Sequence, residues 1–281
     1  MKYCIILRTF KAKSFRQQHK KDNDIMANEI SAWNKILTSA MSLPGVKVNR
    51  ATFLEDQFKT YYTPEQIAPI IENGPIGIIP MSILDKIASD CISYHTNIAS
   101  GTSFVAGLPG GLAMIGTIPA DVAQFYFHVF VIAQKLSYVY GYPDLCDKDG
   151  NFTEDATHML TVFVGVMSGV AAAQKVLQEV AEQIQKHLLR QLSRYALTQS
   201  VIYPLVTQTA RMLGIQVTKT SFSRGVAKVV PVIGGIVSGG LTFATYRIQA
   251  KRLKKALRTS MLSAYDEEKG EEENEISENA E

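Results

Sequence analysis

Asp121, Gln124, His128 and Lys135 follow one another at spacings of three, four and seven residues in a stretch otherwise almost free of charge. On a helix these positions drift only about 20° per heptad, so they share one face. An acid, an amide, an imidazole and an amine on one stripe are the groups of general acid–base catalysis or of metal ligation. One helix offers too few ligands for a metal, so His95 or Asp90 from the preceding helix would have to join them. His158 is a looser candidate. The first reading of the same four residues is a buried network in which polar groups satisfy one another, with a site as the second. No G-x-S-x-G, G-x-x-x-x-G-K, H-E-x-x-H or G-x-G-x-x-G occurs in the chain. The usual hydrolase, NTPase, zinc-protease and dinucleotide signals are therefore missing. The sequence implies no cofactor and no metal.

The elements that must hold this stripe are helical. Between Ile92 and Gln134 the only formal charge is Asp121, and Val229 to Tyr246 carries none. Apolar surface gathered this way must be hidden in a core, in lipid or around an apolar ligand. Asp24 can cap a helix from Ile25 to about Ser42, and Asn49 a short one carrying Phe53, Leu54 and Phe58. Thr63-Pro-Glu-Gln66 is a capping box with proline at the first helical position. Pro80 opens a long helix to about Ser100, where Gly101 interrupts. Pro109-Gly110-Gly111 breaks the segment that follows. Pro119 starts the helix of the polar stripe, which ends near Tyr140 at Gly141 and Pro143. Thr153 caps the next, whose apolar run Met159–Ala173 passes into Val176, Leu177, Val180, Ile184 and Leu188.

Only Ile76–Ile79 and Val201–Tyr203 are short β candidates. The expected fold is all-α, a single multi-helix domain with a central glycine-rich apolar helical core. Its parts are a basic arm over 1–22, a helical cap over 23–79, a helical domain over 80–265 and a disordered acidic tail over 266–281.

Charge is unevenly placed. The last sixteen residues hold nine acids and one lysine, a net of −8 against +3 for the whole, so the remainder carries +11. A basic body suits anionic partners. Few aromatics alternate with the basic residues and no nucleic-acid motif is present, which favours anionic membrane lipids and excludes nucleic acid as a partner. Arg247, Lys251, Arg252, Lys254, Lys255 and Arg258 follow directly on the second apolar block, the pattern of a membrane-binding juxtamembrane cluster. Val229–Tyr246 is just long enough to enter a bilayer, yet its paired glycines fit a tightly packed core hairpin as well. The three cysteines, Cys4, Cys91 and Cys146, are widely spaced and suit a reducing compartment. With no apolar leader visible, the expected location is cytoplasmic, peripheral to the inner face of the cell membrane, with integral insertion as the other option.

Ala106-Gly-Leu-Pro-Gly-Gly111 with Ile118-Pro-Ala-Asp121, then Tyr140-Gly-Tyr-Pro-Asp144, then Val230-Pro-Val-Ile-Gly234, resembles the EcsC protein family in order and spacing. The resemblance covers about Lys86 to Leu257. Leu43-Pro-Gly-Val-Lys-Val-Asn-Arg50 looks like the version in a bacterial branch. The resemblance implies a helical bacterial protein associated with membranes or with an ABC transporter, and no established reaction. The expected function is a non-catalytic membrane-associated accessory or scaffold protein. The alternative is a divergent enzyme or a binder of lipid or another small ligand, using Asp121, His128 and Lys135.

Overall fold

The computed structural model describes residues 33–107, 120–186, 204–209 and 231–278, with Ser31 and Met212; at 100–107, 120–121, 231–242 and 271–278 it describes the backbone alone. These residues form one packed helical domain without a strand. Its helices are α1 (33–41), α2 (Arg50–Phe58), α3 (Pro64–Asn73), α4 (Met81–Gly107), α5 (Ala120–Val139), α6 (Glu154–Ser168), α7 (Ala171–Gln185), α8 (204–209) and α9 (Pro231–Glu278). Ile76–Ile79 is a turn, and Val201–Tyr203 lies outside the described residues.

Local chemistry sets most of the boundaries. The Asn49 side chain accepts a hydrogen bond from the Thr52 amide at 2.9 Å and opens α2. Gln66 reaches back to the Thr63 amide at 3.0 Å and opens α3. Thr153 accepts from the Ala156 amide at 3.0 Å at the head of α6, with Glu154 and Asp155 in the first turn. Gly141 ends α5 at φ +87°. The Tyr142 amide there bonds to the Ser137 carbonyl and the Gly141 amide to the Tyr138 carbonyl, which is the left-handed Schellman stop.

Three boundaries differ from the sequence reading. Gly101 does not interrupt α4, which runs on to Gly107; a single glycine costs a helix only about 1 kcal/mol, which packing on α9 and α5 outweighs. The apolar run Met159–Ala173 is not one helix. Gly169, at φ +87°, makes the same two-bond stop as Gly141 and divides it into α6 and α7. The acidic segment expected to be disordered continues α9 as helix to Glu278. A helix already nucleated by packing extends at little cost through glutamates, which are good helix formers.

The 27-residue α4 and 48-residue α9 form the most extensive pair, and α9 also lies against α5, α6 and α7. The buried side chains of α1 to α3 join those of α4 to α9 in a single apolar cluster. Trp33 stands edge-on to Tyr126 and Phe130 of α5, with ring centroids at 5.6 and 6.4 Å. The glycine-rich core expected at the centre rests on 105–112 and 232–241, of which 108–112 lies outside the described residues and only the backbone of the rest is described.

One carboxylate ties the long helices together. Asp85 of α4 accepts from Tyr140 Oη at 2.8 Å, just past the end of α5, and from Arg258 Nε of α9 at 3.0 Å. Lys254 Nζ, 3.6 Å from the same carboxylate, donates to the Asp85 carbonyl at 2.8 Å and to Ser89 Oγ at 2.9 Å. Partial burial opposes ionisation of Asp85, but the Tyr140 hydroxyl and the Lys254 and Arg258 charges outweigh it and hold the carboxyl below its ordinary range. Asp85→Ala strips Tyr140 and Arg258 of their acceptor and Lys254 of its counter-charge, and is expected to lower the unfolding free energy by about 2 kcal/mol, read from urea denaturation. Asp85→Asn, which keeps an acceptor for Tyr140, is expected to cost less.

Candidate functional site

The polar stripe of α5 is real as a face and too long as a constellation. With a rise of about 1.5 Å per residue, Asp121 stands about 10 Å from His128 and about 21 Å from Lys135. The side chain of Asp121 lies outside the described residues. Its neighbours on the stripe find partners one turn away or on another helix. Gln124 Nε2 lies 3.4 Å from His128 Nε2. Lys135 Nζ lies 3.0 Å from Nε2 of His95 on α4. His95 and His128 then face each other across the α4–α5 seam with ring centroids 6.5 Å apart. Of the two α4 residues that a metal on this stripe would have required, His95 lies at the seam and Asp90 is on the exposed side of α4. His158 is half-buried on α6, with no hydrogen bond or ring contact to these two histidines.

Both imidazoles are deeply buried, His95 at 6% and His128 at 4% exposure. Burial, then the Lys135 charge and His128, push His95 down to about 3. Burial alone pushes His128 below its ordinary value, and Lys135 is lowered for the same reason. The two rings are therefore neutral near pH 7. An ammonium has only hydrogens to offer, so Nε2 of His95 is the acceptor and Nδ1 carries its proton. As the Gln124 amide is placed, His128 follows the same pattern. Nδ1 of each ring is buried without a partner.

Two further residues belong to this cluster and escaped the sequence reading. Cys91 lies one turn before His95 on α4, and its thiol is pushed up to about 11 by burial, against the pull of Lys135. Phe53 of α2 lies under Lys135, with Nζ 5.6 Å from the ring centroid. The C-x-x-x-H spacing was visible in sequence; the approach of α2 was not. A protonated thiol is a poor nucleophile, and an imidazole titrating near 3 is a weak base at neutral pH. Among the described residues no three histidine, cysteine or acidic side chains are grouped to hold a metal. The geometry is that of a buried polar cluster, not of an acid–base pair.

The six basic residues between Arg247 and Arg258 of α9 divide into two sets. Arg252 Nη1 donates to the Met167 carbonyl at 2.7 Å, at the C-terminal end of α6 where a cation is favoured. Lys254 and Arg258 are committed to Asp85. Arg247, Lys251 and Lys255 remain, one turn apart, on the exposed side of the helix. Arg247 lies 5.7 Å from the Phe243 ring. Phe243 and Ile248, at 38% and 58% exposure, flank this basic stripe. No helix of the described residues is long and apolar enough to cross a membrane.

Comparison with known proteins found no matching family model, no matching curated protein and no matching solved structure.

The buried histidines make stability fall in acid. A base whose folded value is depressed stabilises the fold fully above its unfolded value, about 6.5, and that contribution is lost as pH falls from there toward the folded value of about 3 for His95. His95 contributes up to about 1.4 kcal/mol per pH unit in that window, and His128, lowered by burial, acts in the same direction. Urea denaturation between pH 7 and 4 is expected to show this slope, and His95→Leu to flatten it.

Proposed function

We propose that the protein is a non-catalytic accessory or scaffold protein that docks peripherally on an anionic membrane through the outer face of α9. One observation carries this reading. Once Arg252, Lys254 and Arg258 are bound to the rest of the fold, the other three cations of the 247–258 cluster line up as Arg247, Lys251 and Lys255, and exposed Phe243 and Ile248 border them on the same half of the helix. Apolar side chains beside aligned cations are the equipment of an interfacial helix. The +11 carried by the chain before its acidic end adds a long-range attraction to anionic headgroups. The EcsC-like order of motifs supports the same placement, at the inner face of a bacterial cell membrane, and extends it to service of an ABC transporter.

Co-sedimentation with vesicles tests the reading. The full chain is expected to bind vesicles containing phosphatidylglycerol at low ionic strength, to ignore purely zwitterionic ones, and to be released by salt. With about 1 kcal/mol for each cation near an anionic surface, Arg247→Gln, Lys251→Gln and Lys255→Gln together are expected to weaken binding by about 100-fold without loss of stability. Failure of the full chain to bind anionic vesicles at low salt would overturn the proposal.

A further inference from the structure

Contacts between the long helices fix their directions. Asp85, near the start of α4, meets Tyr140 past the end of α5 and Arg258 of α9. Further along α4, His95 faces His128, whose carbonyl accepts from Tyr246 Oη at 3.1 Å. α4 therefore runs against both α5 and α9, and its end lies with their starts at one end of the domain. Charge is divided along the same axis. At this end α4 from Ile92 on and α9 as far as Tyr246 carry no formal charge. α5 as far as Gln134 carries only Asp121, in the first turn, where a helix N-terminus offsets an acid. The linking residues 108–119 are uncharged as well. The other end holds the Asp85 clamp, and past it α9 continues with eight acids and one lysine over 266–278. There Asp266, Glu267 and Lys269 are exposed, and a Cβ at Gly270 would meet nothing within 4 Å. The exposed cations Arg247, Lys251 and Lys255 lie between the uncharged and the acidic parts of α9.

We propose that this uncharged end of the domain enters the headgroup boundary of an anionic bilayer, with α9 tilted and its acidic end lifted into water. The inference rests on the docking of α9 proposed above and adds its orientation. A flat α9 would bring eight acids and Lys269 to the surface together with three exposed cations, a sum that an anionic surface repels. The helix is continuous, so the acids leave the surface only if the whole helix tilts. Lys255 and Asp266 are about 16 Å apart along the axis. Raising Asp266 by one Debye length, about 8 Å in physiological salt, takes a tilt of about 30°. Phe243 lies about 18 Å along α9 on the other side of Lys255, so the same tilt carries it about 9 Å deeper than Lys255. That is within the depth of about 5–10 Å that the apolar side of an interfacial helix reaches. Arg247, about 6 Å deeper than Lys255, stays within a headgroup layer of about 5–8 Å. The order along α9, apolar then basic then acidic, is the order of layers from acyl boundary to water.

Tryptophan emission on vesicles reads the depth of each end. Phe243→Trp and Gly270→Trp are each made in the full chain, and the unaltered protein, whose single tryptophan is the buried Trp33, supplies the background. Phe243 is 38% exposed and Gly270 is open, so neither substitution disturbs the core. The vesicles contain phosphatidylglycerol and lipids brominated on their acyl chains. On binding, the Phe243→Trp protein is expected to shift its emission to the blue and to lose intensity to the bromines. The Gly270→Trp protein is expected to keep both its emission and its quenching by aqueous acrylamide. A bound chain in which the two variants are quenched alike, in which only Gly270→Trp is quenched, or in which neither is, overturns the orientation alone. Failure of the full chain to bind these vesicles at low salt overturns the docking reading and the orientation with it.

Discussion

The packing of α9 along α4 is the contact on which the other helices depend, and Asp85 sets its register. A carboxylate accepting from Tyr140 and Arg258 and lying 3.6 Å from Lys254 fixes where α9 sits along α4 and, through Tyr140, where α5 ends. Apolar burial drives the association but is non-directional. Leu253, Leu257 and Met261 would be buried almost as well one turn out of place. Directional hydrogen bonds to one acidic group remove that ambiguity, because a slip of one turn leaves several of them unmade. Arg252 adds a second fixed point by meeting the carbonyl end of α6.

That same register determines what α9 presents outward. The residues that clamp Asp85 and Met167 are taken from the basic cluster, and the helical period then directs Arg247, Lys251 and Lys255 away from the core. Anchoring and presentation are two faces of one helix. Lost charge on the outer face leaves the clamp intact, whereas a lost clamp shifts both.

The seam between α4 and α5 carries a different burden. Two imidazoles, a thiol and an amine are placed among Phe53, Tyr94 and Phe127, where burial favours the neutral form of each. Such a cluster is costly unless its members are satisfied, and the pairings of Lys135 with His95 and of Gln124 with His128 meet only half of the demand.

Helical content, most of the helix starts and the polar face of α5 were legible in the chain itself, since capping side chains, prolines and 3.6-residue periodicity act over a few residues. Asn49, Thr63 and Thr153 cap their helices for reasons visible within three positions of each. The same short range explains what was misread. Whether a glycine stops a helix depends on its surroundings: Gly169 closes α6 in the left-handed conformation, whereas Gly101 is carried through α4. Which cations are spent internally, and that His95 joins the polar cluster, follow from contacts between helices 40 to 173 residues apart in the chain. Local rules assign a residue to a face; only the packing of helix on helix decides what that face meets.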